Sequence, residues 1–104
     1  MFDNLLGNLQ KQQEELQEKL GTIFVEADAE EGAIVVKAGA DMHIENIKID
    51  VTKINMQDAE QLEDLLVVTI NRALEMARAK AAIETNKLLE GMMPGGLGGL
   101  LGGQ

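Results

Sequence analysis

From Asp58 to Glu90 the chain contains neither proline nor glycine, and Leu62, Leu65, Leu66, Thr69, Ile70, Ala73, Leu74, Ala77, Ala81 and Leu88 recur at a helical period. One continuous helix of about 33 residues follows, about 50 Å long at the α-helical rise. The strands expected before it have about seven to nine residues and span only about 25 to 30 Å. Much of the helix must therefore project beyond its own sheet. Asp58, Glu60, Glu63 and Asp64 gather at its start, where the positive end of the helix dipole stabilises carboxylates. Its stripe narrows to alanine at 73, 77 and 81, which predicts close approach by another helix, either the first helix or its copy in a second chain. A dimer is the expectation.

Upstream, Asp3 is placed to cap a helix running to about Leu20, with Leu5, Leu9, Leu16 and Leu20 on one stripe and Gly21 as its stop. Gln12 and Gln13 interrupt that stripe, and so narrow an apolar face is stable mainly when docked. The pattern then changes to period two. From Thr22 to Glu30, Ile23, Val25, Ala27 and Ala29 share one face, and Phe24, Glu26, Asp28 and Glu30 share the other. Glu31 and Gly32 form a turn, Ala33 to Ala38 a second strand, and Gly39 to Asp41 a second turn. A third strand, Met42 to Val51, starts with Met42 and Ile44 on one face and resumes with Ile47, Ile49 and Val51. The slip at Glu45 and Asn46 predicts a bulge. The fold class is α+β: an N-terminal helix, a three-stranded antiparallel sheet and a long C-terminal helix. Residues 1–90 form the domain. Residues 91–104, with seven glycines and the chain's one proline, read as a flexible tail whose Met92, Met93, Leu97, Leu100 and Leu101 could engage a protein partner.

Composition narrows the function. The 104 residues include no cysteine, no serine and one histidine, so nucleophilic catalysis lacks its usual parts and no enzyme activity is expected. No cofactor and no metal site is expected either. His43 stands alone beside Glu45, and a single imidazole is ordinarily surface. The absence of cysteine suits a reducing cytoplasm, and no stretch approaches a membrane span. Phe2 and Phe24 are the only aromatic residues, which leaves no base-stacking platform. A net charge of −9 repels phosphate over most of the surface.

Recognition rests on residues 32–89. Gly32 leads into an Ala-Ile-Val-Val strand, and Ile47, Lys48, Ile49 and Asp50 end the third strand. LEDLLVVTINRALEMARAK runs from Leu62 to Lys80. Together with a Gln- and Leu-rich first helix, this set resembles the YbaB/EbfC family at Gly32, Ile47, Ile49, Asp50, Leu62, Asp64, Leu65, Asn71 and Ala73. The resemblance implies a tweezer-shaped homodimer with helices beside a three-stranded sheet. It also implies a nucleoid-associated role binding double-stranded DNA. Two departures are visible: Ala38-Gly39-Ala40 stands where the family often has Asn-Gly, and the first helix carries fewer cations.

The cations are unevenly placed. Residues 69–89 hold Arg72, Arg78, Lys80 and Lys87 against Glu75 and Glu84, four cations against two carboxylates. At about 100° per residue, Lys80 and Lys87 lie about 80° and 60° around the helix from Arg72, whereas Arg78 points elsewhere. Lys11 and Lys19 are spaced similarly on the first helix. A dimer bringing these helices together would assemble a basic cleft from Arg72, Lys80, Lys87, Lys11 and Lys19. Taken alone, the residues favour a solvated face paired with Glu15, Glu75 and Glu84, and an adaptor's protein-binding surface is a further reading. The family resemblance is what favours DNA.

Overall fold

The computed structural model describes residues 2–92: α1 (Phe2–Leu20), β1 (Phe24–Ala29), β2 (Ile34–Gly39), β3 (Ile44–Ile49) and α2 (Ala59–Met92). The strands form one antiparallel meander in the order β1-β2-β3. The expected bulge is present: Lys37 pairs with Asn46 and Ala38 with Ile44, leaving Glu45 as the extra residue. Ile44, Ile47 and Ile49 are thereby kept on one face.

Several boundaries move. α1 already begins at Phe2, so Asp3 lies within the first turn rather than ahead of it. Gly21 does follow the last helical residue, but without a left-handed φ. The helix ends there because Thr22 Oγ1 donates to the Lys19 carbonyl at 2.7 Å, and a side chain at 21 would press on the Asp41 carboxylate. Met42 sits in the turn with φ +72°, not in the third strand, because a three-residue hairpin loop closes with a left-handed residue. At the far end α2 continues through Gly91 to Met92. The rest of the Gly-, Met- and Leu-rich segment, including Met93, Leu97, Leu100 and Leu101, lies outside the described residues.

α2 starts where the sequence supplies acceptors. Asp58 Oδ1 accepts from the Gln61 amide at 3.0 Å, so Asp58 is the N-cap that satisfies one of the helix's orphan donors. Asn55 Oδ1 accepts from the Gln57 amide one turn earlier.

The core is small and built on alanine. α2 lies over β1 and β2, and Ala27, Ala33, Ile34, Val36, Ala38, Ile54, Ala73 and Ala77 form one buried cluster. Ala73 and Ala77 are fully buried against this chain's own sheet. That corrects the expectation that these alanines await a second helix: small side chains here let α2 settle closely on β1 and β2. Thr69, one turn before Ala73, is also fully buried. Its hydroxyl donates to the Leu65 carbonyl at 2.6 Å, so no polar group is stranded.

The β1–β2 turn carries backbone strain. Glu30, Glu31 and Gly32 have φ of 52°, 55° and 86°, and the Ala33 amide donates to the Glu30 carbonyl at 3.1 Å. Positive φ at both Glu31 and Gly32 matches a type I′ turn, the form that follows strand twist. A non-glycine residue there costs about 1 kcal/mol or more. Replacing Glu31 with Asn, which tolerates this conformation, is expected to raise stability by about 0.5–1 kcal/mol. Gly32→Val should lower it by more than that, and urea midpoints of the two variants should move in opposite directions.

Beyond the sheet, α2 projects. Its 34 residues make a rod of about 50 Å, against six-residue strands of about 20 Å. The Cα radius of gyration is 19.3 Å, against about 13 Å for a compact chain of 100 residues. α1 lies along the projecting part, with Leu9, Gln13 and Leu16 facing Thr85, Leu88 and Leu89 across a groove. Since α1 runs toward the sheet and α2 away from it, the two form an antiparallel arm.

Candidate nucleic-acid interface

The arm carries four of the five singled-out cations. Lys11 and Lys19 are exposed on α1, Lys80 is half-buried on α2, and Lys87 is exposed near the arm's end. Lys19 lines a groove with Gln12, Glu15, Leu16 and Leu88, which places it beside the turn of α2 that holds Lys87. Lys80 lies two turns nearer the sheet.

Arg72 is held apart from the arm. Its Nη1 donates to the Asp28 carbonyl of β1 at 2.8 Å, so the guanidinium sits at the arm's base, against the sheet. Helical spacing placed Arg72 on the azimuth of Lys80 and Lys87, but only the packing of α2 on β1 brought it within reach of a strand carbonyl.

The arm cations are not consumed by neighbouring acids. Among the described residues, Lys87 to Glu84 at 3.9 Å is the only ion pair they make, and the other described pair joins His43 Nδ1 to Asp41 at 3.1 Å. The expected solvated pairing with Glu15 and Glu75 is not formed there. An unpaired lysine can meet a phosphate without first displacing a carboxylate, although the protein's net negative charge opposes the approach.

Other candidate chemistry is absent or structural. His43 is on the surface, 79% exposed at its side chain, and among the described residues no group of three His, Cys, Asp or Glu side chains could hold a metal ion. Among those residues no helix is long and apolar enough to cross a membrane. Lys37 Nζ stands 4.5 Å above the Phe24 ring on the outer face of the sheet.

Asp50, at the strand end that carried the resemblance, organises the connection to α2. Its Oδ1 accepts from the Thr52 hydroxyl at 2.6 Å and the Thr52 amide at 3.0 Å, and its own amide donates to Ala33 O. The Thr52 hydroxyl bond, then the amide bond, hold the Asp50 carboxyl below its ordinary 3.8, with burial opposing and Lys53 and Lys48 assisting. A carboxylate depressed on folding contributes stability above its unfolded pKa and loses it as pH falls through the folded one. The Thr52 amide shift should therefore titrate with a midpoint below 3.8, and Asp50→Asn should abolish that titration.

One surface was missed by sequence reasoning. Ile47 pairs with buried Val36, and Ile44 with buried Ala38, so both face the α2 side of the sheet. Yet α2 covers β1 and β2 rather than β3, leaving Ile44 38% and Ile47 39% exposed. The inward apolar spacing of the third strand was a visible signal. Where α2 would cross was not.

A helix, a three-stranded meander and a long helix whose end pairs with the first define a small α+β class with a projecting helical arm. An uncharacterised protein from Helicobacter pylori shares the fold, with a TM-score of 0.69 at 17% identity over 85% of this chain and 92% of that one. The chain belongs to the YbaB/EbfC DNA-binding family, whose pattern it matches over residues 1–92. It is 37% identical to a nucleoid-associated protein of Clostridium novyi over 90% of this chain and 86% of the relative. A nucleoid-associated protein of Acetivibrio thermocellus is 36% identical over 97% of this chain and 88% of its own length. One from Bradyrhizobium diazoefficiens is 35% identical over 89% of each.

Proposed function

We propose that this chain is a nucleoid-associated DNA-binding protein that performs no catalysis and grips the duplex backbone as a homodimer. Family membership across residues 1–92 carries the DNA-binding reading. Lys11, Lys19 and Lys80, which make no ion pair among the described residues, support its location. Lys11, Lys19, Lys80 and Lys87 contact phosphates along the arm. Arg72 contributes at the base, where one N–H is tied to β1 and the others remain available. Contacts of this kind fix orientation without reading sequence, so affinity depends steeply on salt and little on base order.

The homodimer covers the inner face of β3. Ile44 and Ile47 lie on the core side of the sheet without a helix above them, and burying this face in a copy of the chain would complete the layer that α2 leaves open. Ile47→Glu is expected to shift the sedimentation coefficient to that of a monomer while helix content persists. An unchanged coefficient would move the interface elsewhere.

Fluorescence anisotropy of a labelled random-sequence duplex, titrated at several salt concentrations, tests the function itself. Saturable binding whose logarithmic affinity falls linearly with logarithmic salt is expected. No binding by the dimer at low salt would overturn this reading in favour of a protein-binding adaptor.

A further inference from the structure

The groove between the helices of the arm has a candidate occupant in this chain's own C-terminal segment. It is a cleft of about 200 Å³ lined by Leu9, Gln13 and Leu16 of α1 and Thr85, Leu88 and Leu89 of α2, with no charged side chain on its walls. It is incompletely filled: Leu9 is 48%, Leu88 36% and Leu89 42% exposed. Polar rims and an apolar floor of this kind ordinarily have something to cover them.

The chain beyond α2 has the chemistry to do so. Residues 91–104 contain no charged side chain, in a protein whose net charge is −9. They can enter an apolar groove without desolvating an ion, and they offer no cation to a phosphate. Met93 is followed by Pro94, and glycine pairs at 95–96 and 98–99 flank Leu97 and precede Leu100 and Leu101. Glycine lets the backbone approach helices closely and reverse direction, while methionine and leucine fill irregular apolar space. The tether is short. α2 ends at Met92, within a turn of Leu88 and Leu89, and residues 93–104 can span about 40 Å when extended. That exceeds the about 20 Å of arm from Leu89 back to Leu16 and Leu9. A short tether gives an effective concentration of about millimolar, so even a weak contact would be well populated.

We propose that residues 93–104 fold back and dock, within the same chain, in the groove between α1 and the end of α2, clasping the two helices of the arm together. The clasp depends on the apolar residues of the segment and is independent of DNA.

Because the chain has no cysteine, Gly102→Cys gives a single spin-label site that leaves every leucine of the segment in place. Methyl NMR on the full-length labelled protein is expected to show strong relaxation broadening of Leu9, Leu16, Leu88 and Leu89, with Val25 and Ile34 in the sheet unaffected. Adding Leu97→Ser, Leu100→Ser and Leu101→Ser to the same labelled chain should remove that broadening. Weak broadening spread evenly over the surface, or broadening that survives the serine substitutions, would overturn the proposal. So would broadening that is equally strong when spin-labelled chains without isotope are mixed with isotope-labelled, cysteine-free chains, because the segment would then dock on a second copy.

Discussion

Truncating Ile34 to alanine is expected to cost about 2–5 kcal/mol, a large share of the about 5–15 kcal/mol that holds a domain of this size folded. Ile34 is fully buried, stands opposite Ala29 on one side and Ile49 on the other, and belongs to a cluster most of whose members are alanines. The cost of a large-to-small change depends on how far neighbours collapse into the space left behind. Ala27, Ala33, Ala38, Ala73 and Ala77 have no side-chain length with which to do so. Urea unfolding of Ile34→Ala should therefore give a loss near the upper end of the range, whereas Ile34→Val should lose about 0.5–1.5 kcal/mol. If the two variants unfolded at the same urea concentration as the parent, stability would have to reside in an interface with another chain rather than in this core.

Reversing Lys11, Lys19, Lys80 and Lys87 to glutamate should abolish duplex binding without changing the fold. Each reversal changes the charge by two, so the four together take the chain from −9 to −17. The neutral counterpart, in which the same four become glutamine, is the more quantitative test. Each phosphate contact contributes about 0.9 to the slope of logarithmic affinity against logarithmic salt. A homodimer with four such lysines per protomer therefore has a slope steeper by about 7 than the variant without them. Arg72 is left intact in both variants, since its bond to the Asp28 carbonyl ties α2 to β1 and its loss would mix stability with binding. An unchanged slope in the glutamine variant would transfer the contacts to other cations, such as Lys37 and Lys48 on the sheet or Arg78 on α2.

The element order, the hairpin turns and the bulge at Glu45 were legible in the sequence because each depends on a local period: two for a strand, 3.6 for a helix, and a one-residue slip where the two faces change over. The start of α2 at about Asp58 and its uninterrupted run are local in the same sense, whereas the Asp58 cap itself was seen only in the structure. Boundaries were less accurate. Gly91 read as a terminator, yet one glycine at the end of a long helix costs only about 1 kcal/mol, and the helix continues to Met92.

The candidate site was legible only in part. Lys80, Lys87, Lys11 and Lys19 could be found by helical spacing, and the antiparallel pairing of α1 with α2 brings Lys19 to the turn that holds Lys87. Helical spacing could not separate Arg72 from them, because azimuth says which direction a side chain leaves its helix and nothing about what lies there.

Local periods and motif order are enough to specify a helix, a three-stranded meander and a long helix, a helix that outreaches the sheet, and residues that follow the YbaB/EbfC pattern. Each of those rests on the order and spacing of residues along one chain. The packed fold, by contrast, is what puts Ala73 and Ala77 on the protein's own sheet and ties Arg72 to β1. It alone decided that β3 is left uncovered and that α1 folds along the end of α2. The first three depend on where α2 crosses β1 and β2 and the fourth on where α1 meets α2, and both are set by contacts between residues far apart in sequence, which no local period encodes.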